Sequence, residues 1–213
     1  MQFPSALAFI TLLIVAFPLA MHAQNLPNDY ILKDKTGNTG YLDIFSANGK
    51  LAFRYTKTRI GVSSVKSATL LQDGDLKKLF SLYSNNDECQ VNTVFIQNEV
   101  PYSRDNLPKR SFSFDARGFG DDVWRFNLYD NASSSRRYFK FKKNRSNKGG
   151  EVFRVARGQP DVLVARLRNQ KRRDNWLDPN RDTGTFTLST VDGAPLPELA
   201  IILASVFIRD WRC

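Results

Sequence analysis

The sequence is short of the residues that most often catalyse reactions or bind metals. Its 213 residues include one histidine, two methionines and two cysteines. The histidine, His22, lies within the first 23 residues, and so do both methionines. Because histidine is the usual general base near neutral pH and the commonest metal ligand, its lack elsewhere excludes Ser-His-Asp, Cys-His and histidine-metal sites there. We therefore expect no catalytic residue, no cofactor and no metal.

The first 23 residues have the pattern of a secretory signal peptide. An uncharged apolar run from Ala6 to Ala20 is followed by Met21-His22-Ala23 and then by a polar chain, which predicts cleavage after Ala23. No Lys or Arg precedes the run, so an uncleaved anchor is the alternative, although the run is short for a membrane span. We expect a secreted monomer with a signal peptide over residues 1–23, a single domain over residues 24–213 and no integral membrane segment after cleavage.

Cysteines and glycosylation sequons agree with export. An even pair of cysteines in an oxidising compartment favours a disulfide, and we predict one between Cys89 and Cys213. Two unpaired thiols or an intermolecular bridge are the alternatives. The triplets that begin at Asn131 and Asn144 lie in polar, turn-like stretches and predict N-glycosylation there.

Most of the chain after residue 27 has the pattern of short β-strands joined by tight turns. The clearest hairpin runs from Tyr41 to Thr56, where apolar and polar residues alternate after Leu51. Its Asn48-Gly49 pair predicts a type I′ turn. Many short strands with no dividing linker indicate one domain, a sandwich or a barrel. Further turns are predicted at Asp73-Gly74, Asp130–Ser135 and Gly158–Asp161.

The segment from Pro197 to Trp211 predicts a helix with apolar side chains on nearly every side. Such a helix must be buried all round, and its apolar part is about half of the ~20 residues that cross a bilayer. The strands must therefore enclose it, which predicts a mainly β fold, a closed antiparallel β-barrel around a buried C-terminal helix. Because the helix fills the barrel, we expect a ligand to bind on the outer wall.

Five short segments together carry a resemblance to a known fold. They are Lys35–Tyr41 (KTGNTGY), Phe45–Phe53 (FSANGKLAF), Val123–Phe126 (VWRF), Gly149–Phe153 (GGEVF) and Pro197–Phe207 (PELAIILASVF). In this order they resemble the Tubby C-terminal-like fold, which is shared by Tubby-like proteins, plant LURP-one-related proteins and phospholipid scramblases.

The resemblance implies a non-catalytic barrel threaded by an apolar helix. Some relatives bind phosphoinositide head groups through Lys and Arg, but none of those ligand positions can be assigned to a residue of this chain. A signal peptide and a cysteine at the last position depart from the mostly intracellular members, so their partners do not transfer. A lipocalin-like secreted barrel is the alternative fold, although the Gly-x-Trp typical of that family is absent after the leader.

Positive charge is concentrated in one part of the chain. From Ser134 to Arg181 there are fifteen Lys or Arg and four acidic residues, whereas the rest has sixteen basic and seventeen acidic residues. Aromatic residues are interleaved, as in surfaces that combine phosphate contacts with aromatic or acyl contacts. We predict that this segment binds an anionic lipid surface or an acidic polymer, but no specific nucleic acid. The alternative is that these side chains only cover solvent faces of strands. The predicted polyanion-binding residues are Arg136, Arg137, Lys140, Lys142, Lys143, Arg145, Lys148, Arg166, Arg168, Lys171, Arg172 and Arg173.

Carboxylates supply the competing hypothesis of an enzyme. Asp182-Thr-Gly184 matches the triplet of aspartic proteases, but only one copy is present and the adjacent Arg181 favours the ionised form. Asp121-Asp122, or Asp73 with Asp75, resemble a glycosidase pair, yet they lie in predicted turns, where Asp is common. An extracellular hydrolase that uses carboxylates without histidine is one alternative, and a structural or interaction protein without a small ligand is another.

Overall fold

The computed structural model of the protein describes residues 28–33, 40–61, 65–89, 91–98, 102–116, 122–144, 149–178 and 180–211. Within these ranges, twelve antiparallel strands form a closed barrel in which each strand pairs with the next in sequence and β12 pairs with β1. The strands are β1 (Asn28–Lys33), β2 (Tyr41–Ser46), β3 (Leu51–Ile60), β4 (Lys66–Asp73), β5 (Lys78–Ser84), β6 (Thr93–Gln97), β7 (Arg110–Asp115), β8 (Val123–Asp130), β9 (Ser135–Lys143), β10 (Gly150–Val155), β11 (Val162–Arg172) and β12 (Thr183–Thr190). The helix α1 (Leu196–Trp211) follows β12. The predicted fold class is confirmed.

Alternate residues of each strand line the barrel interior, as the period of two in the sequence predicts. Phe112, Phe126 and Phe139 lie opposite one another on β7, β8 and β9. Their rings stack at centroid distances of 5.4 Å and 4.7 Å. Each such pair contributes about 0.5–1.5 kcal/mol beyond the burial of its surface.

The helix α1 occupies the centre of the barrel. All six residues from Leu199 to Ala204 are at most 2% exposed, and so are Val206 and Phe207. Since six consecutive residues cover every side of a helix, α1 is enclosed on all sides, as predicted. Within the part of the chain described, no helix has the length and apolar character needed to span a membrane.

Each end of α1 is joined to the barrel by a charged contact. At the N-terminal end, Arg110 Nε donates to Glu198 Oε1 at 2.5 Å. At the C-terminal end, Arg209 lies 3.4 Å from the carboxylate of Asp87. An acidic residue in the first turn and a basic residue in the last turn also complement the helix dipole.

The β2–β3 turn differs from the prediction. Gly49 has a positive φ of 83°, but Asn48 is not among the positive-φ residues of the described chain. Because a type I′ turn needs positive φ at both central residues, that prediction is wrong. Gly49 N donates to Ser46 O and Ser46 N to Lys50 O, as in a turn of negative-φ residues that ends in one left-handed residue. In the β4–β5 turn Leu76 takes this left-handed position with φ 63°, at a cost of about 1 kcal/mol for a residue with a Cβ.

The segment after β11 folds back onto the outside of the barrel. We call residues 173–178 and 180–182 the outer strap. Trp176 Nε1 donates to Ala47 O at 3.0 Å, and its ring lies 5.2 Å from that of Phe45. A Cβ at Gly49 would lie 2.7 Å from the Trp176 ring, so the contact requires glycine. Ile31, which is fully buried, is the cross-strand neighbour of Phe45.

Candidate functional site

Four of the predicted basic residues lie together on the outer face of the barrel. Phe139 and Phe141 of β9 are buried inside, so the alternating Lys140 and Lys142 face outward. On β11, Ala165 and Leu167 are buried in the same way. On β10, between these strands, Glu151 lies opposite Lys142 and Arg166 in the strand register. We call this surface the outer basic wall, and its residues are Lys140, Lys142, Arg166 and Arg168.

The four cations of the outer basic wall differ in their partners. Lys140 forms an ion pair with Asp161, and Arg166 Nε lies 3.0 Å from Glu151 Oε1. Lys142 lies over the Phe153 ring at 5.4 Å, and neither it nor Arg168 has a carboxylate partner in the described ranges. Among the described residues, the wall therefore carries two cations that no carboxylate neutralises.

Arg136 lies near the start of β9, and its guanidinium is bound by other residues of the protein. Its side chain is 6% exposed, and Nε lies 2.9 Å from Asp105 Oδ2. It also donates to Asn127 Oδ1 at 2.6 Å and to Pro108 O at 3.0 Å. The hydrogen bond from Arg136 lowers the pKa of the Asp105 carboxyl. Arg136 thus holds the β6–β7 loop against the barrel and leaves little of its guanidinium for another partner.

Arg137 and Lys143 belong to the opposite face of β9. Arg137 lies across from the buried Leu128, and its Nε is 3.4 Å from Asp130 Oδ2. Lys143 lies across from the buried Gly150. Alternation along one strand therefore separates two of the predicted residues from the outer basic wall.

The remaining predicted cations lie around the outer strap or outside the described residues. Arg172 lies 2.5 Å from Asp29 and 2.7 Å from Asp174, and the hydrogen bond that Arg172 donates to Asp174 raises the pKa of Arg172. Arg173 is exposed and 3.5 Å from Asp182. Lys171 is exposed and has no ion partner in the described ranges. Arg145 and Lys148 fall outside those ranges.

The predicted processing sites are accessible where they are described. Asn131 is exposed in the β8–β9 turn, and Asn144 is exposed just after β9. Ala23 and Cys213 lie outside the described residues, so the cleavage and the disulfide stay predictions. Arg209 Nη1 donates to Glu88 O at 3.0 Å, which brings the last described turn of α1 next to Cys89.

The carboxylates considered for a hydrolase have local roles. Asp73 Oδ1 accepts the backbone N–H of Asp75 at 3.0 Å and of Lys77 at 2.9 Å, so it fixes the β4–β5 turn. Asp182 is exposed beside Arg173, and Asp121 lies outside the described residues. Among the residues that are described, no three His, Cys, Asp or Glu side chains converge as metal ligands.

Sequence reasoning missed a cavity at the end of the barrel where α1 ends. We call this cavity, of about 220 Å³, the end pocket. Lys57 Nζ lies 2.6 Å from Asp87 Oδ2, and Arg209 is stacked on the Phe114 ring at 3.9 Å. The cavity is lined by Gly40, Tyr41, Leu42, Tyr55, Lys57, Arg59, Asp87, Glu88, Cys89, Ile208 and Arg209.

The charged groups of the end pocket are held in a low-dielectric setting. Burial lowers the pKa values of both Lys57 and Arg209, while the nearby Asp87 acts in the opposite direction. Burial also raises the pKa of Tyr55 to about 12. The sequence of β3 contains an indication of this site. Its apolar residues Leu51 and Tyr55 belong to a series that recurs at every second position, and the next residue in this series is Lys57.

Alkaline pH should destabilise the protein through Tyr55. Because its pKa rises from 10.0 to about 12 on folding, the unfolded state loses this proton first. The contribution is therefore fully present below about pH 10 and is lost as the pH rises towards about 12, at about 1.4 kcal/mol per pH unit. Denaturant unfolding of the wild type and Tyr55→Phe across this range should show the steeper loss in the wild type. Parallel curves would contradict the assignment.

No family model matches the chain, and no curated protein matches it. A protein from Arabidopsis thaliana whose X-ray structure is known is similar to it. The two share 17% sequence identity, the similarity covers 84% of this chain and 90% of that protein, and the TM-score is 0.47. A likeness of this extent says nothing about activity.

Proposed function

We propose that this protein is a secreted, non-catalytic binding module that attaches to anionic phospholipid head groups through the outer basic wall. One observation carries the proposal: Lys142 and Arg168 project from the same outer face without a carboxylate partner in the described ranges, whereas Lys140 and Arg166 beside them are paired. An anionic surface would supply the missing counter-charges. The predicted signal peptide supports an extracellular site of action.

Exposed apolar side chains beside the wall favour a lipid surface over an acidic polymer. Tyr138 is 50% exposed and Val162 is 39% exposed. Tyr138 shares the outer face of β9 with Lys140, and Val162 begins the strand that carries Arg166. Aromatic side chains with a polar tip suit the head-group region of a membrane. Cations flanked by such side chains suit a surface that is charged outside and apolar beneath.

We also propose that the fold is a secreted variant of the Tubby C-terminal-like barrel. The observations in its favour are the successive hairpins, the closure of β1 against β12, and the apolar C-terminal helix inside. A non-catalytic role agrees with this assignment, because Asp73 fixes a turn and Asp182 is exposed beside Arg173.

Charge reversal on the wall tests the proposal. Lys142→Glu with Arg168→Glu should weaken binding to vesicles that contain anionic lipid by at least about 30-fold at low salt, because each lost cation contributes about 1 kcal/mol and each new carboxylate is repelled. Co-sedimentation with the vesicles measures the affinity. The matched control is Lys50→Glu with Lys77→Glu, which makes the same charge change at exposed turn residues with no ion pair in the described ranges. The control should bind within about twofold of the wild type, apart from the general effect of net charge.

Four outcomes would overturn the proposal. Wild-type binding should fall steeply as salt rises, so binding that resists salt contradicts it. Equal binding to vesicles of zwitterionic lipid, or equal loss in the wall and control variants, contradicts it as well. If heparin or RNA binds at low salt while anionic vesicles do not, the partner is an acidic polymer and the lipid assignment is wrong.

A further inference from the structure

The end pocket holds more positive charge than its buried carboxylate neutralises. Asp87 Oδ2 accepts from Lys57 at 2.6 Å and from the Ser67 hydroxyl at 2.5 Å. Its other oxygen lies 3.4 Å from Arg209 Nη2. Lys57, whose side chain is 21% exposed, and the more deeply buried Arg209 therefore share the Asp87 carboxylate, whose oxygens are both in use. Asp122 adds a further negative charge that acts on Arg209.

The opposite end of the barrel shows how few charged groups are needed to hold an end of α1 in place. There, one cation, Arg110, is paired with one carboxylate, Glu198, at 2.5 Å. The same one-to-one match would be complete at the end pocket with Asp87 and Arg209 alone. Lys57 is the additional charge, on the inner face of β3 where Tyr55 precedes it. Burial of an ammonium group costs free energy that its pairing with Asp87 offsets only in part, so a role in binding would account for its presence here.

Donors remain available at the end pocket. An ammonium group has three N–H donors, and Lys57 Nζ has one acceptor, Asp87 Oδ2, within the described chain. Arg59 lies on the same face of β3, is exposed, and has no ion partner among the described residues. Glu88 lines the cavity as a second acidic residue beside Asp87. Three cations and two carboxylates line the cavity, so its charge favours an anion.

The size and the remaining lining suggest what kind of anion fits. The volume of about 220 Å³ equals roughly seven water molecules at about 30 Å³ each. Leu42 and Ile208 supply apolar surface, and Tyr41 supplies a ring. A bare inorganic ion would leave this part of the cavity unfilled.

We propose that the end pocket binds one small organic anion, a carboxylate or phosphate monoester with a short apolar body, through Lys57 and Arg59. This site is separate from the outer basic wall and does not depend on the function proposed for the wall. Its ligand is a single molecule, whereas the wall contacts an extended surface.

Titration calorimetry with hexanoate and hexyl phosphate, and with hexanol as the neutral control, tests the pocket. At least one of the two anions should bind saturably, and hexanol should bind at least about tenfold more weakly, because hydrogen bonds to charged groups are the stronger ones. Arg59→Gln should weaken anion binding about tenfold. Lys77→Gln, an exposed lysine in the β4–β5 turn, is the matched control and should not change it.

Asp87→Asn gives a second and opposite expectation. It removes one negative charge beside Lys57 and Arg209 and keeps an oxygen acceptor, so the anion should bind more tightly, by about tenfold. A thermal melt shows whether this variant is folded, and Arg59→Gln decides the question if it is not.

The proposal fails if neither anion binds up to about 10 mM, if hexanol binds as tightly as the anions, or if Arg59→Gln and Lys77→Gln behave alike.

Vesicles with phosphatidic acid, added to the variant Lys142→Glu with Arg168→Glu, identify the source of the anion. If the vesicles displace hexanoate, the natural ligand is a lipid head group, and if hexanoate stays bound, it is a free anion. Either result supports the proposal that the end pocket binds an anion. Unchanged hexanoate binding in this wall variant also separates the pocket from the wall.

Discussion

Replacing Ile202 with Asp should unfold the protein. Ile202 is 0% exposed at the centre of α1, and its neighbours in the helix are buried on every side. An unpaired carboxylate there has no donor and no water, so the cost should exceed about 5 kcal/mol, which is comparable with the whole stability of many domains. Circular dichroism at neutral pH should show loss of the cooperative thermal transition.

Two substitutions separate this effect from a general sensitivity to mutation. Ile202→Val removes one methyl group from the same site and should cost about 0.5–1.5 kcal/mol. Val94→Asp places the same carboxylate on the outer face of β6, where Val94 is 54% exposed, and should change stability by less than about 0.5 kcal/mol. If the Ile202→Asp protein melts like the Val94→Asp protein, α1 is not enclosed by the barrel.

Replacing Arg110 with Met should produce the second large effect. Glu198 is 4% exposed at its side chain and has Arg110 as its ion partner at 2.5 Å. Arg110 also stacks on the Phe80 ring at 4.4 Å. Its loss leaves a buried carboxylate unpaired, which costs about 3–5 kcal/mol. Denaturant unfolding at neutral pH measures the difference.

A double variant distinguishes the buried charge from lost packing. Arg110→Met combined with Glu198→Leu removes both charges and should regain most of the lost stability, because an apolar pair of similar size often replaces a buried ion pair without loss. Arg125→Met is the matched control, since Arg125 is 52% exposed and pairs with Asp115 at 3.4 Å, and it should cost less than about 1 kcal/mol. Equal effects of Arg110→Met and Arg125→Met would show that Glu198 is not an isolated buried charge.

The features that were predictable from the sequence are those encoded by neighbouring residues. Alternation along β9 and the apolar run in α1 each express a local period, and each period reflects which side of an element is buried. The same rule, applied to the basic segment, places Lys140 and Lys142 on one face and Arg137 on the other. A count of basic residues along the chain ignores this alternation. It therefore places in one predicted binding site residues that lie on opposite faces of β9.

The features that were not predictable depend on contacts between distant residues. Asp87 and Arg209 meet across a sequence separation of 122 residues, and no local pattern connects them. Trp176 reaches Ala47 across a separation of 129 residues, so the outer strap looked like an ordinary polar loop. Arg136 has the sequence environment of an exposed charge, yet the β6–β7 loop covers it. All three contacts join residues that only the folded chain brings together.

The two barrel ends suggest how this fold combines stability with binding. The end at Glu198 has balanced charge and serves to hold α1. The end at Arg209 holds α1 with the same kind of contact but carries the additional Lys57 beside a cavity. Because α1 fills the interior, the two binding sites that we propose lie outside the core, on the outer basic wall and at the end pocket. A barrel whose interior is filled by a helix therefore favours binding of ligands at its surface.

Native-state hydrogen exchange on α1 measures most directly whether the barrel encloses the helix. Amides from Leu199 to Phe207 are surrounded by buried side chains, so they should exchange only when the whole barrel unfolds. The free energy of their exchange should equal the free energy of unfolding measured with denaturant. Exchange of these amides several kcal/mol more easily than global unfolding would show that α1 leaves the barrel by itself, which contradicts a helix sealed inside twelve strands.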